Sequence, residues 1–424
     1  MTIFRAKLVC PVEAPPILDG ALTVDSSGRI AAIGPACDAP PGPRNDLGNC
    51  AIFPGLINAH AHLDLAGPRD EIKPRSLWDW FESSILPRRL VTSDDVQRAV
   101  ATGAAASLAC GVTCIADVSR TGEAVPVLAG TPLRARCFVE LISGASRPPN
   151  DLASLDEALH QLTRFERTHQ LELAVSPHTP YTVSREDAAA TVRQAREANA
   201  PLMTHFLETG EERAWLTAAE RASVAAAVVE RFLAMANLPT RGLPAPDSPL
   251  AWLRETGMLC ESGGPAPTTI LAHVNYVDDA VLTAIARAGV SIAYCPRTHD
   301  YFGHPPHRWR DMLAAGVNVC IGTDSLASNP DLSILEELRF LRRHAPEVPP
   351  KTLMRLATLH GAAAVGWSDA IGELVPGRFA DFFAVPLPTI LPDDPIGWLL
   401  DSDAVAVETW VWGQRVGRSD AAIY

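Results

Sequence analysis

The sequence predicts a (β/α)8 barrel of the TIM type, carrying a small β-sandwich domain assembled from both chain ends. Three observations predict it. Eight short apolar runs alternate with long Ala-rich helical stretches; five histidines and an aspartate stand at the ends of those runs; and strand-like segments bracket the whole. Alternating strands and helices imply parallel strands joined by crossovers, and eight such units fit a closed barrel. A doubly wound open sheet is the alternative, but no GxGxxG turn follows any predicted strand.

Residues 1–50 alternate β-like runs with turn signals, in AKLVCPV, GALTVDSSGRIAAIG and the Pro-rich CDAPPGPRNDLG. From Ala51 the eight runs are AIFPGLINAH, GVTCIADV, ARCFVELI, LELAVSPH, PLMTHFLE, TTILAHV, VSIAYCPR and VNVCIGTD. Between them lie helix candidates such as SDDVQRAVATGAAASLACG, with Ser93 and Asp94 as capping residues, and LASLDEALHQLTRFERTHQ. The stretch from about 209 to 260 exceeds one crossover and reads as a helical insertion, with helices around 211–236 and 247–258. After residue 370, ELVPG, ADFFAVP and AVETWVWGQRVG return to strand character. The expected division is therefore 1–50 plus 371–424 for the β domain and 51–370 for the barrel.

Composition sets the class. The 424 residues are 47% apolar and 20% charged, ordinary for a globular enzyme. A net charge of −13 with no basic run argues against nucleic acid as the ligand. No stretch of about 18 apolar residues offers a membrane span, and the opening MTIFRAKLVCPVEAPPILDG lacks the apolar core of a secretory leader. The nine cysteines are odd in number and scattered, so they read as reduced thiols of a cytoplasmic protein.

The chemistry is carried by strand ends. His60 and His62 close the first run two residues apart, on one side of a strand. His178 follows the fourth run, His205 and His273 end the fifth and sixth, and Asp324 ends the eighth. A barrel places its chemistry at the carboxyl ends of its strands, so these side chains converge. Three imidazoles and a carboxylate suit zinc, with iron or manganese as alternatives.

FPGLINAHAHLDL, HFLE, ILAH, GTDS and the tail PGRFADF resemble, in order and spacing, the amidohydrolase superfamily. Within it they are similar to the branch of nucleobase and nucleoside deaminases and triazine hydrolases. The resemblance spans nearly the whole chain. It implies that His60, His62, His205 and Asp324 bind one divalent metal, and that Glu208 shuttles a proton to a ring nitrogen of the substrate. His273 would orient the attacking water or stabilise the oxyanion, and Asp324 would accept the water's proton. His178 and Trp80, the latter in SLWDWFESSILP, would contact a small heterocyclic substrate. The family's members are often dimers, so the resemblance allows a homodimer, while the residues themselves leave the oligomeric state open.

One count decides the metal number. Two-metal members often bridge their ions with a carboxylated lysine from a middle strand. Of the three lysines (Lys7, Lys73 and Lys351), only Lys73 falls between His62 and His205, in a loop. Glu140, in CFVELI, could in principle bridge two ions but reads more readily as an inward-facing structural carboxylate, so one metal is expected. The chain departs from the family after the seventh run, where CPRTHDYFGH (295–304) replaces a Pro-x-Ser-Asn stretch. Arg297 there is read either as a contact to the substrate's polar tail or as a brace of the loop. The functional expectation is hydrolytic deamination of an adenine-bearing small molecule. The alternatives are hydrolysis of another C–N or a C–Cl bond, as in triazine hydrolases or cyclic amidases, and, more remotely, a non-catalytic scaffold.

Overall fold

The computed structural model describes residues 1–66, 76–85, 92–120, 122–143, 169–238, 247–259 and 268–418. Five strands come first: β1 (Thr2–Val9), β2 (Ile17–Val24), β3 (Ile30–Pro35), β4 (Arg44–Asp46) and β5 (Cys50–Pro54). Eight more follow: β6 (Leu56–Ala61), β7 (Val112–Ser119), β8 (Arg134–Leu141), β9 (Leu171–Pro177), β10 (Leu202–Phe206), β11 (Thr269–His273), β12 (Ser291–Tyr294) and β13 (Asn318–Ile321). The chain ends with β14 (Phe382–Pro386), β15 (Glu408–Val411) and β16 (Gln414–Arg418).

Strands β6 to β13 form one parallel sheet in sequence order. Its edges meet where Ala61 bridges Asp324 in parallel and the amides of Thr323 and Asp324 donate to the His60 carbonyl at 3.1 and 3.0 Å. Gly322 permits that closure, because a Cβ there would sit 2.7 Å from the same carbonyl. This is the predicted barrel. Each of the eight apolar runs supplies one of its strands.

The remaining strands make a mixed sheet in the order β16-β15-β14-β5-β1-β2-β3, with β4 beside β1. Both chain ends build it, as predicted. The run AIFPGLINAH, read as a single strand, is divided between the two sheets. Ala51–Pro54 pairs antiparallel with β14, and Leu56 onward enters the barrel. The joint is Gly55, whose amide donates to the Asp381 carbonyl and whose missing Cβ would lie 2.0 Å from Thr113 Oγ1. Any side chain would force the two sheets apart.

A buried ion pair also ties the sheets together. Arg134, at the start of β8, forks onto the Asp381 carboxylate and stacks on Phe379 and Trp412, 4.2 and 3.9 Å from their ring centroids. With no exposed surface it needs every one of these partners.

Local signals were read with mixed success. The helix Ser93–Ala109 forms, but Thr92 caps it rather than Ser93 or Asp94. The Thr92 hydroxyl accepts from the Asp95 amide, and the Asp95 carboxylate accepts back from the Thr92 amide, a reciprocal box. In the insertion, the helix expected over 211–236 is two helices, Gly210–Leu216 and Val224–Met235, because Thr217 is extended and Ser223 caps a fresh start. A third helix spans Pro249–Glu255. The LASLDEALHQLTRFERTHQ candidate lies outside the described residues except for its last two. No described helix is long and apolar enough to cross a membrane.

Gly55→Ala is expected to lower stability by about 1–3 kcal/mol through overpacking at the joint. Thermal and denaturant unfolding measure it, and parental stability in the variant would show that the two sheets have slack there.

Candidate active site

The barrel interior is lined by rows of alternate residues, and several rows end in a polar side chain. Period two carries Ala116 and Val118 up to Arg120, Phe138 to Glu140, Ala174 through Ser176 to His178, Met203 to His205, and Cys320 through Gly322 to Asp324. The lower members fill the closed core, and the upper ones line a cleft at the barrel mouth. On β6 the row is reset by irregular pairing with β7 between Asn58 and Ala61, which brings both His60 and His62 to the centre.

Four imidazoles crowd together there. The ring centroids of His62, His205 and His273 each lie 5.0–5.1 Å from that of His60. His62 Nε2 and His205 Nε2 face each other at 3.1 Å, and Asp324 Oδ1 is 3.8 Å from His62 Nε2. Two overlapping groups, His60–His62–Asp324 and His60–His205–His273, each bring three ligand atoms within 4.8 Å of one another. His60 Nε2 is buried with no protein partner. His205 Nδ1 lies 3.2 Å from the His178 carbonyl, which places its proton on that side and turns the Nε2 lone pair inward. Converging nitrogen lone pairs of buried neutral rings repel one another unless a cation sits among them, so this donor set fits a divalent metal.

Electrostatics agree. Burial holds all four rings in their uncharged form: His60, His62 and His273 are pushed well below the ordinary value, and His205 falls to about 4. The neighbouring imidazoles depress the first three further. Burial raises the Asp324 carboxyl to about 7 against the pull of its hydrogen bond from Ser328, 3.2 Å away at Oδ2. That bond leaves Oδ1 facing His62.

Strained backbone aims these groups. Asp324, His273, Val274 and Leu207 all have positive φ, at 58°, 70°, 53° and 51°, which costs a non-glycine residue energy and persists where surroundings enforce it. At His273 the enforcement comes from His307, whose Nε2 lies 2.8 Å from the His273 carbonyl while its ring stacks on Tyr294 at 4.0 Å. At Leu207 it comes from Glu212, whose carboxylate accepts from the Leu207 and Glu208 amides, both at 2.9 Å. Glu208, held this way, points its carboxyl at His273 Nε2, 3.6 Å off. Its acidity is weakened well beyond the ordinary range by burial, then by Asp324 and Glu212.

Most of the predicted site residues meet in this cleft. His62, His205, Glu208, His273, Asp324, His178 and Trp80 line it directly. Trp80 closes a short helix (Leu77–Trp80) that runs into a π-helical turn, with its Nε1 donating to the Ala327 carbonyl at 2.9 Å. Leu77, Phe81 and Phe232 complete an apolar wall. Arg297 is not among the lining residues. It is locked in bidentate contact with Asp331 and bonded through Nε to the buried Glu337, so it braces the loop. Glu337 in turn accepts from Asn329, which donates to the Thr323 carbonyl beside Asp324.

Three groups were missed. Glu212 was legible as the fourth residue of Thr209-x-x-Glu212, a capping-box spacing. Arg120 continues the interior row of β7 past its last apolar residue. Asp64, which accepts from Arg120 Nε at 2.9 Å, carries no local signal.

Known proteins resemble this chain in sequence and in fold. A 5-methylthioadenosine/S-adenosylhomocysteine deaminase of Nitratidesulfovibrio vulgaris is 30% identical over 384 residues, covering 87% of this chain and 80% of its own. The zinc-bound structure of an adenosine deaminase from Xanthomonas campestris superposes with a TM-score of 0.81 at 25% identity, covering 98% of this chain and 92% of that one. Helicobacter pylori aminofutalosine deaminase, solved with methylthio-coformycin, shares the fold at a TM-score of 0.81 and 23% identity, over 98% of this chain and all of that one. The Amidohydrolase family profile matches residues 51–413, from the last strand of the N-terminal segment through the whole barrel to the hairpin of the small sheet, and the chain belongs to that family.

Proposed function

We propose that this enzyme, a metal-dependent hydrolase of carbon–nitrogen bonds, removes the exocyclic amine of an adenine-bearing small molecule as ammonia. The observation that carries the reading is the Glu208 carboxyl 3.6 Å from His273 Nε2, in a cleft that also holds the histidine cluster and an apolar wall of Leu77, Trp80, Phe81 and Phe232. The 30% identical relative named as a deaminase of adenosine derivatives supports the substrate class.

In this reading His60, His62, His205 and Asp324 hold one ion, and three nitrogens with one oxygen favour zinc. When bound, the metal supplies Lewis acidity that brings a coordinated water towards a pKa of about 7. The heterocycle lies against Trp80 and Phe81 with its amine-bearing carbon over the cluster. Glu208, kept protonated by burial, donates to the ring nitrogen next to that carbon. Asp324 takes the proton of the attacking water, and His273 donates to the oxygen as negative charge gathers on it. Collapse breaks the C–N bond, ammonia leaves with a proton returned by the carboxyl groups, and a ring carbonyl remains. All eight described cysteines are free thiols, which supports a reducing, cytoplasmic setting.

Three outcomes follow from these roles. Ammonia should be released from aminated purines by metal-loaded protein and not after chelation; chloride or alkylamine release from triazines instead would replace the deaminase reading. Glu208→Gln should lower kcat by about 100-fold or more while metal content, measured by atomic emission, stays near one per chain. His273→Ala should likewise keep the metal and lose turnover. An apo protein from that substitution would make His273 a ligand and remove it from catalysis.

A further inference from the structure

One buried carboxylate in the cleft serves neither the metal nor the proton transfers. Glu140 ends the interior row of β8 with 2% of its surface exposed, and its Oε1 has no hydrogen-bond partner. His178 Nε2 approaches to 3.8 Å, beyond hydrogen-bond reach. The other ring nitrogen of His178 is 2.8 Å from the Thr182 hydroxyl, which also lies 2.9 Å from the Thr179 hydroxyl and 3.3 Å from the Thr179 carbonyl. The Glu140 carboxyl and His178 Nε2 thus face the same part of the cleft with no hydrogen bond between them. Arg120, the cation lining the cleft, directs its Nε to Asp64.

A metal could join Glu140, His178 and His205, whose ligand atoms lie within 4.8 Å of one another. The orientation of His205 speaks against it. Its Nε2 faces His62 at 3.1 Å and its Nδ1 is taken by the His178 carbonyl, so neither nitrogen is available to a second ion. What the buried Glu140 carboxyl lacks is a hydrogen-bond partner at Oε1, and a buried polar group left unpaired is costly. The apolar wall of Leu77, Trp80, Phe81 and Phe232 offers no polar side-chain atom but the indole nitrogen of Trp80, which is engaged elsewhere. A hydroxyl of a bound ligand would supply that partner.

We propose that Glu140, together with His178, is a specificity-determining contact that accepts hydrogen bonds from hydroxyls on the group attached to the heterocycle, so that the enzyme takes an aminated nucleoside with its sugar hydroxyls in preference to a deoxy or sugarless analogue. The proposal rests on the deaminase reading for its choice of heterocycle. The carboxylate accepts from one or two hydroxyls on one side of the sugar, and the apolar wall holds the ring on the other.

The test compares ammonia release from adenosine, 2′-deoxyadenosine, 3′-deoxyadenosine and adenine by the metal-loaded parent, Glu140→Gln and Glu140→Leu. The parent should favour adenosine over at least one deoxy analogue by about 10- to 100-fold in kcat/KM, and Glu140→Leu should bring that ratio to within about threefold, mostly by losing adenosine turnover. Glu140→Gln, which keeps shape and one acceptor, should retain part of the preference and guards against a folding defect in the leucine variant. Equal use of all nucleosides by the parent, or one ratio shared by all three proteins, would overturn the proposal. So would two metals per chain, one of them lost in Glu140→Leu. Calorimetric binding of the same nucleosides to chelator-treated protein reads the contact without turnover. A Glu140-dependent preference there, with no ammonia from any purine, would sink the deaminase reading and leave this contact standing.

Discussion

Crowding uncharged imidazoles and acid groups into a water-poor cleft is the constraint on which the rest of this molecule depends. Each ring at the barrel mouth is held neutral by burial, and each would rather be in water. The fold meets that cost by giving most of these groups one fixed partner and one free edge. His205 is anchored by the His178 carbonyl, Asp324 by Ser328, and Glu208 by amides that Glu212 holds. What remains unpaired points inward, so the unfavourable terms are gathered where a cation and a ligand can relieve them.

The anchoring extends outward in layers. Asp324 and His273 both leave their strands through left-handed backbone, and neither conformation would persist in a free loop. Asn329, Glu337 and Arg297 pin the first, while His307 on its Tyr294 stack pins the second. The segment after β12 that departs from the family pattern (295–304) has therefore become scaffolding for Asp324, and His307, just beyond it, does the same for His273. Within that segment Arg297 serves the geometry of Asp324 from a distance, through the side chains of Glu337 and Asn329 and the Thr323 carbonyl.

How legible this was depended on how local the signal was. The eight-strand alternation survives in single-sequence form because every barrel strand must be apolar on both faces, and the strand-end histidines stand out because nothing structural requires them there. His60, His62, His205, Glu208, His273 and Asp324 could be named before any coordinates. The splitting of AIFPGLINAH could not, because Pro-Gly within an apolar run reads equally as a bulge or a joint until Thr113 is seen against Gly55. Arg297 was ambiguous for a similar reason: a guanidinium in a loop near a site looks the same whether its carboxylates belong to a ligand or to Asp331 and Glu337. Asp64 and His307 act through tertiary neighbours alone and leave no mark on spacing.

The pairing of β5 with β14 sets an order of events in the life of the chain. The strand that leads into the barrel lies beside β1 but gains its other neighbour, β14, more than three hundred residues later, and Arg134 meets Asp381 across 247 residues. During synthesis the barrel's first strand can pair with β7 early, but its other edge is closed only once Thr323 and Asp324 have emerged, and one side of β5 stays open until β14 follows. Assembly of the barrel mouth is thereby tied to chain made late: a product that stops before Asp324 lacks both the closing bridge to Ala61 and a member of the histidine–aspartate cluster.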